Sequence, residues 1–468
     1  MSALFRIFCL NWGNSRDAAY PEYFCLRITA MKALFFLRHY NDIDHVTPVI
    51  YKWIKSGHQC DVVLIGSTQF RRDFRVQYLS QLEGVRVAHM KELFPLAEYI
   101  KWRLQMLMLT RNVRRIKVIG GLAEKLADRY DENQREPLWR HTAEFLLNRC
   151  FGDAGKGVVA FDWIERNSVI CLEWVEVVIA TAKERGLGTV SLPHGDSPHY
   201  SQLIRRGERR VEPDITFSAA TIFDKVVVPN ELCSVRFRPF MTDNQLAVLG
   251  SPRYCEEWLK ILAGLMPPSP LIRSDSRLKI VMFLRKANFT TFWEEVGEVV
   301  HMIAEFLGVE LVIKPHTRSG WKQSLTTDSS IKKLPNVRVA SDDAHSVHLM
   351  NWADVIIDLA TSVVFEAVRA KKPVLAADYL IAARSAVAYY MPETELKCRD
   401  EVYEKIDYFL NNGCDSFYIE EHRQRFLREM LDYPDANVLP RYVSLLEQLV
   451  DRSAVSSCRA AVRCIDKP

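Results

Sequence analysis

The sequence predicts an α/β protein made of two successive β/α/β domains and a helical C-terminal segment. Short, wholly apolar segments alternate with amphipathic ones, as in parallel sheets that helices cover on both faces. This alternation starts near residue 32, stops at a segment rich in proline and serine, and then starts again. At about 150 residues per domain, a length of 468 residues predicts two or three domains.

Composition and charge exclude several classes of protein. With 62 basic and 58 acidic residues the net charge is +4, and 48% of the residues are hydrophobic, which excludes a largely disordered chain and gives no reason to expect a nucleic-acid partner. Eleven cysteines show no CxxC spacing and no secretory signal is recognisable, so we expect a reducing compartment. The longest apolar stretch, residues 169–182, contains Glu173 and Glu176 and is not expected to span a membrane. We therefore expect a cytoplasmic protein, either free or on the cytoplasmic face of a membrane.

Two runs of alternating elements define the predicted domains. In the first run we predict strands at 33–37, 61–66, 157–162, 189–192, 225–228 and 246–249, with helices at 44–56, 92–148 and 173–185. In the second we predict strands at 279–284, 310–314, 337–340, 355–357 and 373–376, with helices at 292–306, 361–370 and 399–449. The chain is accordingly divided into an N-terminal extension (1–31), a first Rossmann-like acceptor domain (32–263), a linker (264–277), a second Rossmann-like, nucleotide-donor domain with closing helices (278–452) and a tail (453–468).

Residues 354–378 carry the strongest functional pattern. A buried strand is followed by Thr361 and Ser362 at a predicted helix start, where free backbone N–H groups and hydroxyls favour a phosphate group. Glu366 lies one turn further on, where its carboxylate can accept hydrogen bonds from ribose hydroxyls. A plain helix cap with a solvated glutamate explains the same residues. No glycine-rich GxGxxG fingerprint is present.

A second pattern, ELVIKPHTRSG at 310–320, places cations after a strand. Lys314, His316 and Arg318 suit the negative charge of a phosphoryl leaving group, and Arg285 follows the preceding strand in the same way. A solvated strand end is the alternative interpretation.

The third pattern, TVSLPHGDSPH at 189–199, ends a strand of the first domain with His194. An imidazole is a suitable general base toward an acceptor hydroxyl because its ordinary pKa lies near neutral pH. Asp162 and Glu165, in FDWIER, are acidic candidates from the preceding strand end. A structural histidine explains His194 equally well.

Taken together, these motifs resemble those of GT-B glycosyltransferases. A strand, a small polar helix start, FEAV, a basic pair and PVLA are similar to the nucleotide-binding half of that superfamily. Lys314-Pro315-His316 is similar to the K-x-HP element of CDP-glycerol glycerophosphotransferases and to the HP motif of polysialyltransferases and capsule Kdo-transferases, although the order here is Pro-His. The His-Gly after a strand also occurs in these surface-polysaccharide enzymes, and Leu249–Tyr254, LGSPRY, resembles their G-x-P-R turn.

The resemblance implies two domains that face a central cleft and a transferase that builds a surface polysaccharide such as capsule or lipopolysaccharide. The donor would be CMP-, CDP- or UDP-linked, its phosphates near Thr361 and Ser362 and its ribose at Glu366. The acceptor would be a glycan or a lipid-linked glycan, deprotonated by His194 in a direct displacement. We expect no cofactor and, because no DxD-like cluster is present, no metal. The alternatives are a nucleotide-sugar 2-epimerase and a glycan-binding protein without catalytic activity.

Residues 101–117, KWRLQMLMLTRNVRRIK, make an anionic membrane surface a further candidate partner. The segment has six basic residues and no acidic ones, interleaved with large apolar residues. Binding of a charged polysaccharide and a core helix with a basic flank are the alternatives.

Overall fold

Two parallel β-sheets and the helices that cover them form the framework of the protein. The computed structural model describes residues 30–65, 68–109, 132–152, 156–164, 172–195, 204–205, 208–209, 215–271, 274–285, 291–316, 330–341, 344–381, 384–432 and 438–465. Arg318 and Glu165, two of the predicted site residues, lie outside these ranges, as do residues 110–117 of the basic segment.

The first sheet has seven strands, all parallel: β1 Lys32–Leu37, β2 Gln59–Leu64, β3 Val85–His89, β4 Val158–Asp162, β5 Gly188–Leu192, β8 Lys225–Val228 and β9 Leu246–Val248. Their spatial order is β3-β2-β1-β4-β5-β8-β9, so the direction in which the chain adds strands reverses between β1 and β4. Two further short strands, β6 Ile204–Arg205 and β7 Glu208–Arg209, pair with each other in antiparallel fashion.

The second sheet has five parallel strands: β10 Leu278–Phe283, β11 Val309–Lys314, β12 Val337–Val339, β13 Val355–Asp358 and β14 Val374–Ala376. Their order is β12-β11-β10-β13-β14, with the reversal between β10 and β13. In open parallel sheets, ligands bind beyond the carboxyl ends of the strands at such a reversal. Each sheet therefore has one favoured position for a site.

Fifteen α-helices lie within the described residues: α1 Tyr40–Lys55, α2 Phe74–Ser80, α3 Met90–Leu93, α4 Leu96–Leu109, α5 Glu132–Phe151, α6 Leu172–Glu184, α7 Glu231–Ser234, α8 Glu256–Leu265, α9 Trp293–Ala304, α10 Ser346–Trp352, α11 Phe365–Arg369, α12 Ala386–Tyr390, α13 Arg399–Asn412, α14 Glu420–Leu431 and α15 Val438–Ile465. None of the described helices is long and apolar enough to cross a membrane.

Helices cover both faces of the first sheet. On one face α5 and α6 pack around Phe36, Phe161 and Trp174, and the rings of Phe36 and Phe161 stack with centroids 4.1 Å apart. On the other face α1 and α15 pack against Phe35 and its neighbours. The strands are buried on both sides, which is why they are apolar throughout instead of alternating.

Helix α15 packs on the first sheet, although it follows all the strands of the second sheet in sequence. A Cβ atom on Gly188, the first residue of β5, would lie 2.9 Å from the backbone oxygen of Leu449, so the absence of a side chain there allows the helix to approach closely. The Tyr442 hydroxyl donates to the Gly250 carbonyl oxygen at 2.8 Å.

The predicted α/β class with two parallel sheets is confirmed. The prediction missed β3, an edge strand with only partly buried residues at its start, and placed a helix at 361–370 where the structure has a 3-10 turn followed by α11. The domain and linker boundaries stay predictions.

Candidate active site

The reversal point of the first sheet brings together four residues that are far apart in sequence. Arg38 and His39 follow β1, Asp162 ends β4, and His194 follows β5. Because these three strands are neighbours and run in the same direction, their carboxyl ends meet at one edge of the sheet. Asp42, in the first turn of α1, completes this group.

His194 lies between two buried carboxylates. Its Nδ1 atom is 2.8 Å from Asp162 Oδ2 and 2.9 Å from Asp42 Oδ1, and neither aspartate side chain is exposed, whereas 24% of the His194 side chain is. The N–H at Nδ1 therefore donates to the carboxylates. Nε2 lies 3.3 Å from Asn41 Nδ2, an amide donor, so the neutral ring accepts a hydrogen bond there.

Both aspartates are held by other groups as well. Arg38 binds Asp162 in a bidentate ion pair, with its Nε and Nη2 atoms each 2.5 Å from a carboxylate oxygen. Asp42 accepts hydrogen bonds from the backbone N–H groups of Arg38 at 2.6 Å and of His39 at 2.9 Å, so it also caps α1. These contacts fix the His194 ring through its two acidic partners.

Burial and neighbouring charges shift the pKa values of three titratable side chains of this cluster. Burial raises the pKa of Asp42, and so does the neighbouring Asp162. Burial opposes ionisation of Asp162 too, but Arg38 and His194 outweigh it and hold the pKa of that carboxyl well below its usual range. Burial lowers the pKa of His194, yet its hydrogen bonds to both aspartates prevail and raise it to about 9. The sequence-based argument assumed an ordinary histidine pKa, whereas the hydrogen bonds to two buried carboxylates raise it in the structure.

The same cluster contains a set of candidate metal ligands. Among the described residues, His39, Asp42, Asp162 and His194 offer ligand atoms that all lie within 4.8 Å of one another. Two imidazoles and two carboxylates suit a transition metal. The expectation of no metal stays a prediction.

A second buried charge cluster occupies the reversal point of the second sheet. Arg285 follows β10 and is 4% exposed, and its pKa is lowered to about 10 by burial, against the attraction of Asp358 and Asp378. Burial raises the pKa of Asp358 to about 7 and that of Asp378 to about 6. Arg285 thus lies among acidic side chains in the interior, and its predicted contact with a donor phosphate stays a prediction.

Thr361 and Ser362 are engaged within the protein. The Thr361 N–H donates to Asp358 at 2.9 Å and its hydroxyl donates to the same carboxylate at 2.7 Å. The Ser362 carbonyl oxygen accepts a hydrogen bond from the Tyr254 hydroxyl at 2.7 Å. Because α11 begins at Phe365, the backbone N–H groups of Thr361 and Ser362 do not form the start of a regular α-helix as predicted.

Glu366, Lys314 and His316 complete the described part of the predicted nucleotide site. Burial raises the pKa of Glu366, opposed by Arg253 and Arg369. Lys314 is 8% exposed and donates from Nζ to the Ser341 carbonyl oxygen at 2.9 Å. His316, two residues beyond β11, is partly exposed. The structure thus places Lys314, Arg285 and Asp358 at the carboxyl edge of the second sheet, and Asp162 and His194 at that of the first.

Several residues of these clusters were missed from the sequence. Arg38, His39 and Asp42 lie in RHYNDIDH, residues 38–45, which directly follow the first strand. A run of polar residues at the end of a buried strand is a signal that can be recognised in the sequence. The contact of these residues with His194 could not be predicted, because it depends on the order of the strands in the sheet.

Known structures share this fold. No protein-family model matches the sequence, and no curated protein matches it. Among solved structures, UDP-GlcNAc 2-epimerase from Neisseria meningitidis bound to UDP-GlcNAc has 14% identity and a TM-score of 0.53, over 89% of this chain and 100% of that one. A glycosyltransferase from Rickettsia africae has 12% identity and a TM-score of 0.51, over 90% and 99%. The S. aureus MnaA–UDP structure has 10% identity and a TM-score of 0.50, over 88% and 95%.

These similarities define the class of fold: two parallel sheets of the GT-B type, as found in glycosyltransferases and in UDP-GlcNAc 2-epimerases. At identities of 14% or less they establish the architecture alone.

Proposed function

We propose that this protein is a glycosyltransferase, or a polyol-phosphate transferase, that uses a nucleotide-activated donor to build a surface polysaccharide such as capsule or lipopolysaccharide. The observation that carries the proposal is the His194 cluster. It combines a partly exposed imidazole with two buried carboxylates at the position where this class of sheet binds ligands. We place the protein in the cytoplasm, at the membrane face where a lipid-linked glycan would be available.

In the proposed reaction Nε2 of His194 takes the proton of an acceptor hydroxyl. The acceptor oxygen forms a bond to the transferred group, and the bond between that group and the nucleotide phosphate breaks. Asp162 and Asp42 stabilise the imidazolium that results, because both accept from Nδ1. Lys314, His316, Arg318 and the residues around Thr361 would offset the charge on the departing CMP, CDP or UDP, while Glu366 would hold its ribose. The reaction so written needs no cofactor and no metal.

Replacement of His194 by alanine tests this role. We expect kcat to fall by roughly 10²–10⁴-fold, the usual contribution of a general base, with little change in nucleotide affinity. Turnover of the unmodified protein should rise with pH toward about 9, because the base must be neutral to accept a proton. His141→Ala, an exposed histidine on α5, is the matched control. If His194→Ala turns over normally at a saturating concentration of acceptor, another residue is the general base.

A nucleotide-sugar 2-epimerase is the second candidate. Such an enzyme needs two proton-transfer groups around one sugar carbon, and the rings of His39 and His194 lie 5.7 Å apart at the same strand ends, both partly exposed. Incubation with a nucleotide sugar alone separates the two reactions. An epimerised product without any acceptor would favour the epimerase, whereas a product that requires an acceptor glycan would favour the transferase.

A glycan-binding protein without catalytic activity would keep the two sheets and lose affinity for nucleotides. Calorimetric titration with CMP, CDP, UDP and GDP distinguishes this third candidate. Binding of one nucleotide at micromolar concentration, together with weaker binding of the others, would contradict a purely glycan-binding role and would identify the donor class.

A further inference from the structure

The first turn of α1 places two further side chains beside the His194 ring. Asn41 Nδ2 lies 3.3 Å from His194 Nε2, and Asp42, the next residue, lies 2.9 Å from Nδ1 of the same ring. Tyr40 is the first residue of α1 and directly precedes Asn41. Consecutive Cα atoms are about 3.8 Å apart, so Tyr40 starts one residue away from a side chain that contacts His194. A ligand whose hydroxyl group reaches Nε2 therefore meets the start of α1.

Tyr40 is aromatic and yet exposed. Its exposed fraction is 42%, and it is the only exposed aromatic side chain among the described residues between 30 and 265. One exposed tyrosine is ordinary on a protein surface. This one, however, follows β1 at the reversal point of the first sheet, where sheets of this type bind ligands. Its position beside the His194 cluster, together with its exposure, makes it a candidate for contact with a ligand.

Phe70 holds the Tyr40 ring from one side. It lies in the 3-10 turn Thr68–Arg72 that follows β2, is 5% exposed, and belongs to the core beneath α1. The two ring centroids are 5.0 Å apart and the rings are inclined at 78°, an edge-to-face contact that covers at most one face of Tyr40. Asp42 caps the same turn of α1 through two backbone N–H groups. The Tyr40 ring is thus positioned before a ligand binds, which lowers the entropy lost on binding.

We propose that Tyr40 and Asn41 form a subsite for a pyranose ring of the acceptor. One face of a pyranose carries mainly C–H groups and its rim carries hydroxyls, so it is recognised by an aromatic ring with polar groups beside it. The C–H face stacks on Tyr40, and the Asn41 amide donates to the oxygen of the hydroxyl that His194 deprotonates. This inference rests on the proposed function, since it places the acceptor at His194. It adds that the acceptor is recognised there through a sugar ring.

Titration with simple glycosides tests the subsite without a donor. We expect the unmodified protein to bind at least one of methyl β-glucoside, methyl β-galactoside and methyl N-acetyl-β-glucosaminide more tightly than glycerol, a polyol without an apolar ring face. Tyr40→Ala should weaken this binding roughly tenfold, because the stacked ring is lost, whereas Tyr40→Phe keeps the ring and should bind within about threefold. Tyr403→Ala is the matched control, since Tyr403 is 51% exposed on α13 and also packs on a phenylalanine.

Turnover separates this binding role from a catalytic one. Tyr40→Ala should raise KM for the acceptor by roughly tenfold and change kcat and the donor KM little, because stacking acts equally in the ground state and the transition state. Asn41→Ala should lower kcat/KM for the acceptor, since Asn41 contacts the reacting hydroxyl. Both variants alter the exposed start of a helix, and an unchanged Tm verifies that their folds are intact.

Three results would overturn the inference: no binding of any of the three glycosides to the unmodified protein, normal affinity in Tyr40→Ala, or an equal loss in Tyr40→Phe and Tyr40→Ala. Failure of the proposed function gives a different result. If no nucleotide-activated donor is turned over with any acceptor while the glycosides still bind through Tyr40, the transferase is rejected and the sugar subsite stands.

Discussion

At the scale of single residues, the central feature is an imidazole whose charge state is fixed by its neighbours. Asp42 and Asp162 have no exposed surface, and Arg38 neutralises one of the two. Burial lowers the pKa of His194, but its hydrogen bonds to both aspartates prevail and raise it. His194 and Asp162 could be predicted from strand ends in the sequence. The raised pKa could not, because Asp42 and Arg38 are about 120–150 positions away from their partners.

The raised pKa of His194 predicts a pH dependence of stability. The folded pKa of His194, about 9, lies above its unfolded value of 6.5, so its stabilisation is complete below pH 6.5 and is lost as the pH rises through 9. We expect the Tm difference between the unmodified protein and His194→Asn to be larger at pH 6.5 than at pH 9.5 by roughly 1–3 °C, for a contribution of about 1–3 kcal/mol. Thermal unfolding across this range measures it. His141→Asn should show no such trend, and a constant difference for His194→Asn would contradict the assignment.

Glu366 gives the second prediction at this scale. It lies in the first turn of α11 and is partly exposed, so its carboxylate is available to a ligand. Replacement by alanine should leave the fold intact and cost about 1.5–3 kcal/mol of nucleotide binding, roughly tenfold or more in affinity. Calorimetry on Glu366→Ala, with the exposed Glu404→Ala as control, checks this. Equal dissociation constants for the two variants would remove Glu366 from the site.

At the scale of elements, the pattern of hydrophobic residues predicted the buried strands correctly. It did not predict elements that are only partly buried or helices that are short. β3 was missed because only its last two residues are buried, so it lacks the continuous apolar run of a central strand. Residues 361–370 were predicted as one helix, but Asp358 binds Thr361 and forms a turn there, and the helix begins four residues later. Such local side-chain bonds compete with helix formation and are not visible as periodicity.

The exposed face of helix α4 allows the predicted contact with an anionic membrane to be tested on residues that the structure describes. Trp102 and Met106 face the core, while Leu96, Ile100 and Leu104 form an exposed line at four-residue spacing, 72%, 48% and 54% exposed. Lys101 and Arg103 lie beside this line. Replacing both cations by glutamine should weaken binding to anionic liposomes by about 2 kcal/mol, roughly thirtyfold, if α4 lies on the surface of such a membrane.

Sedimentation with liposomes at low salt measures the effect. Lys397→Gln with Arg428→Gln, one exposed lysine and one exposed arginine from the second half, is the matched control. Failure of the unmodified protein to sediment, or an equal loss in the control, would contradict a membrane contact through α4.

At the scale of the whole molecule, the two halves of the chain are not independent in structure. The restart of the β/α pattern after the proline-rich segment correctly predicted a second sheet. Nothing in the sequence showed that α15, nearly 190 positions after β9, would cover the first sheet, because an amphipathic helix does not reveal which surface it will meet.

Replacement of Leu446 tests how much the packing of α15 stabilises the first sheet. It is fully buried against the first sheet and α1. Leu446→Ala should lower the free energy of unfolding by about 2–5 kcal/mol through lost burial and a cavity. Urea unfolding followed by tryptophan fluorescence should report it, since Trp53 and Trp258 belong to the same core. The exposed Gln448→Ala on the same helix is the control and should change little; a comparable loss in both variants would mean that the effect is not one of core packing.

The late position of α15 also has a consequence for how the protein is made. The first sheet has all its strands once Val248 has been synthesised, but Val438, where α15 begins, follows 190 positions later. At about 5–20 residues per second, the part of one apolar face that α15 covers waits for roughly 10–40 s on the ribosome. During this interval the second sheet emerges and is completed. The half that is translated first is thus the half that finishes folding last, and we expect a nascent chain that depends on chaperones to shield this face until its final helix arrives.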